Sequence, residues 1–170
     1  MLAKVLTAPS DLYMLDRPSV FLAGPIQDAP DWQSEVIEEL SDRRIAIYNP
    51  RTPDPWHGDY SGQVVWETDH LWAASVVLFW LASPNQPPRE GRSYAQTSRF
   101  ELGEWFSRSK QDGRFRLVVG IEPGFSGERY IRTRLAGVQN ITVCSSLEES
   151  IQTLKDVLSP LERLVRMERP

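Results

Sequence analysis

The chain has 170 residues, with 19 Lys and Arg against 23 Asp and Glu for a formal net charge of −4, and its one cysteine is Cys144. That length suits a single domain over residues 1–170, able to bury a core without disulfides or a structural metal. An acidic chain with no long basic run argues against a polynucleotide partner, and the lack of a basic, apolar leader or of ~20 consecutive apolar residues gives the expectation of a cytoplasmic protein with no membrane partner.

The first 17 residues read as an extra strand or a tail. Val20–Ala23 is the first short apolar, β-rich run, and AGPIQD behind it puts Gly24 and Pro25 in a tight turn. Helical spacing follows over Trp32–Leu40, then a strand over Ile45–Tyr48, then a long polar loop, NPRTPDPWHGDYSG, that carries Asn49, Arg51 and Trp56. Val64–Ala74 reads as a helix and Val76–Leu81 as a continuously apolar strand. A second long loop, SPNQPPREGRSYAQ, leads into a helix over Phe100–Ser109. Leu117–Ile121 and the weaker Ile141–Cys144 complete the strands, and Leu147–Val165 closes the chain as a helix with Ile151, Leu154, Leu158, Leu161 and Val165 spaced at three and four. Strand and helix alternate, and strands as apolar as VVLFWLA are buried on both faces. The pattern predicts a doubly wound parallel sheet, flavodoxin-like, of about five strands in the order 2-1-3-4-5 with helices on both sides.

In such a fold the crevice lies at the carboxyl ends of the strands, where the order reverses, and three of the loops above converge there. So does the stretch TSRFELGEWFSR, which places Glu101 near the start of a helix and Gly103 inside it. Glycine there is worse than alanine by roughly 1 kcal/mol, so it marks either tight packing on a strand or an approaching group. Ser98 and Glu101 have capping-box spacing. A carboxylate at a helix N-terminus is also held ionised by the macrodipole, as a nucleophile would need. Paired with a second acid across the crevice it has the parts of a retaining glycosidase. Glu67, with Asp69 as the fallback, is the candidate partner, against the plainer reading of a solvated helix charge. His57 and His70 lack metal-pair spacing, so no metal is expected. Trp56 can stack on a base from its loop, whereas Trp32, Trp66, Trp72, Trp80 and Trp105 read as core. Neither GxGxxG nor a P-loop occurs. Arginines cluster at Arg89, Arg92 and Arg99 and again at Arg129, Arg132 and Arg134, either as solvated faces or around one phosphate.

As a set, FLAGPI, YNPR, QVVWETDHL leading to SVVLFW, TSRFELGEW, and VVGIEPGF followed by arginines resemble the nucleoside 2-deoxyribosyltransferase-like proteins, from about Val20 to the last helix. The resemblance implies a usually oligomeric enzyme with no cofactor that cleaves the N-glycosidic bond of a (deoxy)nucleoside or nucleoside monophosphate. The sugar passes through a covalent glycosyl-glutamate to another base or to water. Glu101, in the ELG motif, is then the nucleophile, Gly103 lets the backbone and sugar approach, and Glu67 stands where an aspartate often handles the departing base. Asn49, Arg51 and Gln63 are expected as positioning groups on the same rim. Two departures stand out: Phe21 where many members carry a tyrosine that contacts the nucleophile, and Ala95 in place of a sugar- or phosphate-binding group. Thr97 and Ser98, with Ser93 and Tyr94 nearby, are the substitutes, and Arg129 is expected to reach the 5′ end across a dimer interface. The arginine count favours a 5′-phosphorylated substrate. The alternative is a non-catalytic nucleotide-binding or sensing module on the same fold.

Overall fold

The computed structural model describes residues 2–10, 16–52, 60–87, 91 and 93–167, the side chain of Arg166 excepted. In chain order the elements are β1 (Lys4–Thr7), β2 (Ser19–Ala23), α1 (Trp32–Glu39), β3 (Ala46–Asn49), α2 (Tyr60–Ala73), β4 (Val76–Leu81), α3 (Gln96–Gln111), β5 (Leu117–Ile121), α4 (Glu128–Leu135), β6 (Ile141–Cys144) and α5 (Leu147–Met167). The strands form one sheet in the order β1-β3-β2-β4-β5-β6, and every pair is parallel. The five expected strands keep their expected order. The difference is a sixth, β1, which extends the sheet at the edge with Lys4 opposite Ala46 and Thr7 opposite Asn49.

Side chains of period two divide the sheet between two cores. Phe21, Ala23, Val77, Phe79, Leu117 and Val119 face α2, α3 and α4, meeting Trp66, Leu71, Leu102, Trp105 and Leu135. Val20, Leu22, Val76, Leu78, Trp80 and Val118 face α1 and α5, meeting Trp32, Val36, Leu40, Ile151, Leu154 and Leu158. Helix α5 seats closely because Gly120 has no side chain: a Cβ there would lie 2.2 Å from Ser150 Oγ and 2.4 Å from Trp80 Cε3. Helices α2 and α3 each begin four residues before the expected start, at Tyr60 and Gln96. Their first turns are polar and contribute little to the apolar rhythm. Helix α4 was not expected, since only Leu135 of ERYIRTRL is buried. No helix among the described residues is long and apolar enough to cross a membrane.

Candidate active site

The chain order reverses between β2 and β4, which lie side by side. At their carboxyl ends, between α2 and α3, opens a cleft of about 870 Å³. Phe21 and Ala23 of β2 reach it from below, and Gly24 and Pro25 form part of its rim. Gly24 has φ +152°, and a Cβ on it would fall 2.3 Å from the Trp80 carbonyl oxygen and 2.9 Å from the Trp32 ring. Only glycine lets the loop turn this close to β4. The turn is held by Trp32 Nε1–H, which donates to the Pro25 carbonyl at 3.1 Å.

Asn49 and Arg51 act behind this loop and not on the cleft wall. Arg51 Nε donates to Gln33 Oε1 at 2.9 Å, its Nη2 to the carbonyls of Ile26 and Pro30 at 3.3 and 3.0 Å, and it pairs with Asp31 at 3.2 Å. Asn49 Oδ1 accepts from the Arg51 backbone N–H at 3.0 Å. Together they brace the β2–α1 loop from the end of β3.

The acid pair is in the cleft. Glu67 on α2 and Glu101 on α3 both line it, whereas Asp69 lies exposed and away from it. Gln63, one turn before Glu67 and also on the wall, donates its Nε2–H to Glu67 Oε1 at 3.0 Å. Burial raises the Glu67 carboxyl above its usual range, and the Gln63 bond partly opposes that. Burial first, then the neighbouring Glu67 and Glu104, pushes Glu101 up to about 8. The sequence expectation of a carboxylate kept ionised by the macrodipole is corrected here. Helix α3 starts at Gln96, so Glu101 sits in its second turn, where the dipole has faded and desolvation by burial is larger. The capping box fails for the same reason. The N-cap is Ala95, with no side-chain cap bond, and Ser98 is buried in the first turn on the cleft wall.

Among the described residues only two other than glycine have positive φ, Asp28 at 60° and Ala95 at 56°, and both line the cleft. Left-handed backbone costs on the order of 1–3 kcal/mol per residue and gathers at functional sites. Thr97 and Ser98 line the cleft at the uncapped start of α3, where free backbone N–H groups add donors.

Other expected residues lie elsewhere. Gly103 is exposed and absent from the wall, and a Cβ on it would meet nothing within 4 Å, so it makes room for neither sugar nor strand. Arg129 is exposed at the start of α4, also off the wall. Its neighbours are engaged: Arg132 donates to the carbonyls of Ile121 and Cys144, and Arg134 to Tyr130. Arg99 donates to the Ser126 carbonyl at 2.8 Å and lies 4.5 Å over the Phe125 ring. Trp56, His57, Arg89 and Arg92 fall outside the described residues. His70 is buried, stacked on Trp66 at 3.9 Å.

The wall also contains two tryptophans that sequence reading assigned to the core. Trp105 is buried and packed on Phe115, and Trp72, half exposed, meets it edge-on at 5.3 Å. The signal was the spacing: Trp105 is one turn after Glu101 and so shares its helix face.

A doubly wound parallel sheet with two carboxyl groups facing one cleft at the switch point defines the class of protein. The family model described as nucleoside 2-deoxyribosyltransferase like matches residues 17–120, and the chain belongs to that family. The match runs from just before β2 into β5 and includes Glu67 and Glu101. No curated protein matches the chain.

Proposed function

We propose that the protein cleaves the N-glycosidic bond of a nucleoside or nucleoside monophosphate, with Glu101 attacking C1′ and Glu67 managing the proton of the departing base. The observation that supports this is the facing acid pair itself. Both groups are desolvated, each on its own helix, and both fall within the family match. Attack by one Glu101 oxygen gives a glycosyl ester and releases the base. A second base then receives the sugar, or water does with Glu67 taking its proton. Neighbouring buried acids titrate as a pair, and burial together with their mutual repulsion favours a protonated form. The reactive form is the one with Glu101 ionised as the nucleophile and Glu67 protonated as the acid. In this reading the sugar's 5′ end rests on the first turn of α3, and the support is that Thr97 and Ser98 line the cleft where the helix has no side-chain cap.

Incubation with a 2-deoxy-2-fluoro nucleoside, with and without a free acceptor base, tests the assignment. The expected result is a sugar adduct on Glu101 alone that an acceptor base discharges, and loss of turnover by about 10³-fold or more in Glu101→Ala with the fold intact. A label on another residue, or full activity in the alanine variant, overturns it.

The same reading includes a homo-oligomer. Tyr60 and Phe100 are 76% and 74% exposed at the cleft, with Val64 of α2 on the same wall at 42%. Apolar side chains grouped at a cleft mouth favour a covering subunit. Sedimentation should give a dimer or higher assembly that Phe100→Asp weakens at least tenfold, while a monomeric parent protein would remove this part of the reading.

A further inference from the structure

Among the described residues, the charged side chains that line the cleft are all acidic. Glu67 comes from α2 and Glu101 and Glu104 from α3, and among the described residues no lysine, arginine or histidine lines the wall. Glu104 is answered by Arg108 at 2.7 Å, and that guanidinium lies 3.3 Å over the Trp72 ring. Among the described residues no cation answers the pair. Tyr94, on the segment before α3, donates its hydroxyl to the Ala82 carbonyl, and Arg99 is turned to Ser126. Gln63 serves Glu67, and Glu101 accepts no hydrogen bond from any described residue. Independently, Trp105 lines the same wall, is 4% exposed, and leaves its Nε1–H without an acceptor among the described residues. A buried indole N–H is a donor only and needs a carbonyl or similar oxygen.

We propose that the base of the N-glycoside bound here is a cation, an N-alkylated oxopurine or a carboxamide-bearing pyridinium, seated against Glu67 and Glu101 with its carbonyl toward Trp105. This rests on the N-glycoside reading above and specifies its substrate. A neutral base meets a pair in which burial and mutual repulsion hold a proton on Glu101, the group that must attack. A cationic base favours the ionised form of both acids, and the shared proton leaves to solvent. One Glu101 oxygen then bonds to C1′ while the C1′–N bond breaks, and its electron pair returns to the ring nitrogen and cancels the positive charge. The base departs neutral with no proton supplied. Water next attacks C1′, gives its proton to Glu67, and frees Glu101. The sum is a cationic nucleoside and water going to a sugar, a neutral base and one proton.

Two uncleavable probes separate charge from shape: the carbocyclic analogue of nicotinamide riboside, a cation, and benzamide riboside, its neutral near-isostere. Calorimetry on the wild-type protein at pH 7, in buffers of differing ionisation enthalpy, should show the cation binding at least tenfold more tightly and releasing close to one proton per ligand, with none for the neutral probe. In the Glu67→Gln, Glu101→Gln double variant the preference should fall to within twofold. Equal affinities without proton release overturn the proposal, whatever nucleosides the enzyme cleaves. Cation-selective, proton-releasing binding without release of base from nicotinamide riboside or 7-methyl-2′-deoxyguanosine supports the cation site and removes the N-glycosidase reading instead.

Discussion

A carboxylate on each face of the sheet shows how differently the two faces are used. On the α1 and α5 side, Glu162 is 13% exposed and fully answered: the Arg43 guanidinium donates to one of its oxygens and the Arg44 backbone N–H to the other. On the α2 and α3 side, Glu101 is half buried, accepts nothing from a described residue, and faces a second acid. The first serves the fold, linking the end of α1 to α5. The second weakens it. An unpaired, desolvated carboxyl group beside another is a destabilising arrangement that persists where chemistry needs it. The backbone repeats the contrast, because among the described residues both non-glycine residues with positive φ line the cleft.

The largest effect that would break this comparison is chemical. Protonation of a leaving group typically supplies 10²- to 10⁴-fold, so Glu67→Gln should slow the release of poor leaving bases by about that much. It should leave a nitrophenyl-type glycoside nearly untouched. The ratio of kcat/KM for the two substrates, parent against variant, is the measurement. Equal losses on both would place Glu67 with Glu162, among the groups that only hold the fold.

Much of this contrast was legible in the residues. The strands announced themselves because β2, β4 and β5 are buried at every position, so an unbroken apolar run is what a parallel sheet requires. Glu101 and Glu67 stood out through their motifs and their place at strand ends. The resting charge of the pair did not, because burial and the distance between two helices are properties of packing. Arg51 was expected on the rim but braces the loop instead, since bonds to the Ile26 and Pro30 carbonyls leave no pattern in sequence. Gly103 misled for a different reason. Its helix cost was real, but its exposed side of α3 meets open space in the described chain. Arg129 and α4 were obscured because a short helix with one buried residue lacks apolar rhythm.

An intermediate effect sharpens the comparison through stability. Glu101 ordinarily titrates near 4.5 and is pushed up to about 8 in the folded chain, so the native state keeps a proton that the unfolded state has lost. The stability from that proton is fully present below pH 4.5 and is lost as pH rises toward 8. Glu101→Gln should therefore match the parent at low pH and exceed it increasingly across this window. The side chain stays partly open to solvent, so the gain above pH 8 should be about 1–3 kcal/mol, less than the whole shift implies. Urea denaturation at pH 4.5 and 8.5 measures it, and a constant offset at both values would mean that the carboxyl is not strained. For a neutral substrate the same ionisation makes kcat/KM climb toward pH 8. A variant that is more stable and inactive is the expected signature of a catalytic carboxyl group.

The smallest effect tests the backbone. Ala95 sits at φ 56°, ψ 31° as the N-cap of α3, a left-handed conformation that its Cβ disfavours by roughly 1–2 kcal/mol. Glycine adopts it freely but adds flexibility to the unfolded chain, which takes back about 0.4–1 kcal/mol. Ala95→Gly should thus stabilise the protein by a few tenths to about 1 kcal/mol, against the usual direction of an alanine-to-glycine change. Alanine also offers no side-chain oxygen to cap α3, so glycine gives up no bond there. Activity separates strain from service. If the left-handed turn only aims the free N–H groups at the sugar's 5′ end, the variant keeps the turn and kcat/KM changes by less than about fivefold. A destabilised Ala95→Gly protein would show that the turn is unstrained, and would leave the cost of the cleft side with the acid pair and Asp28.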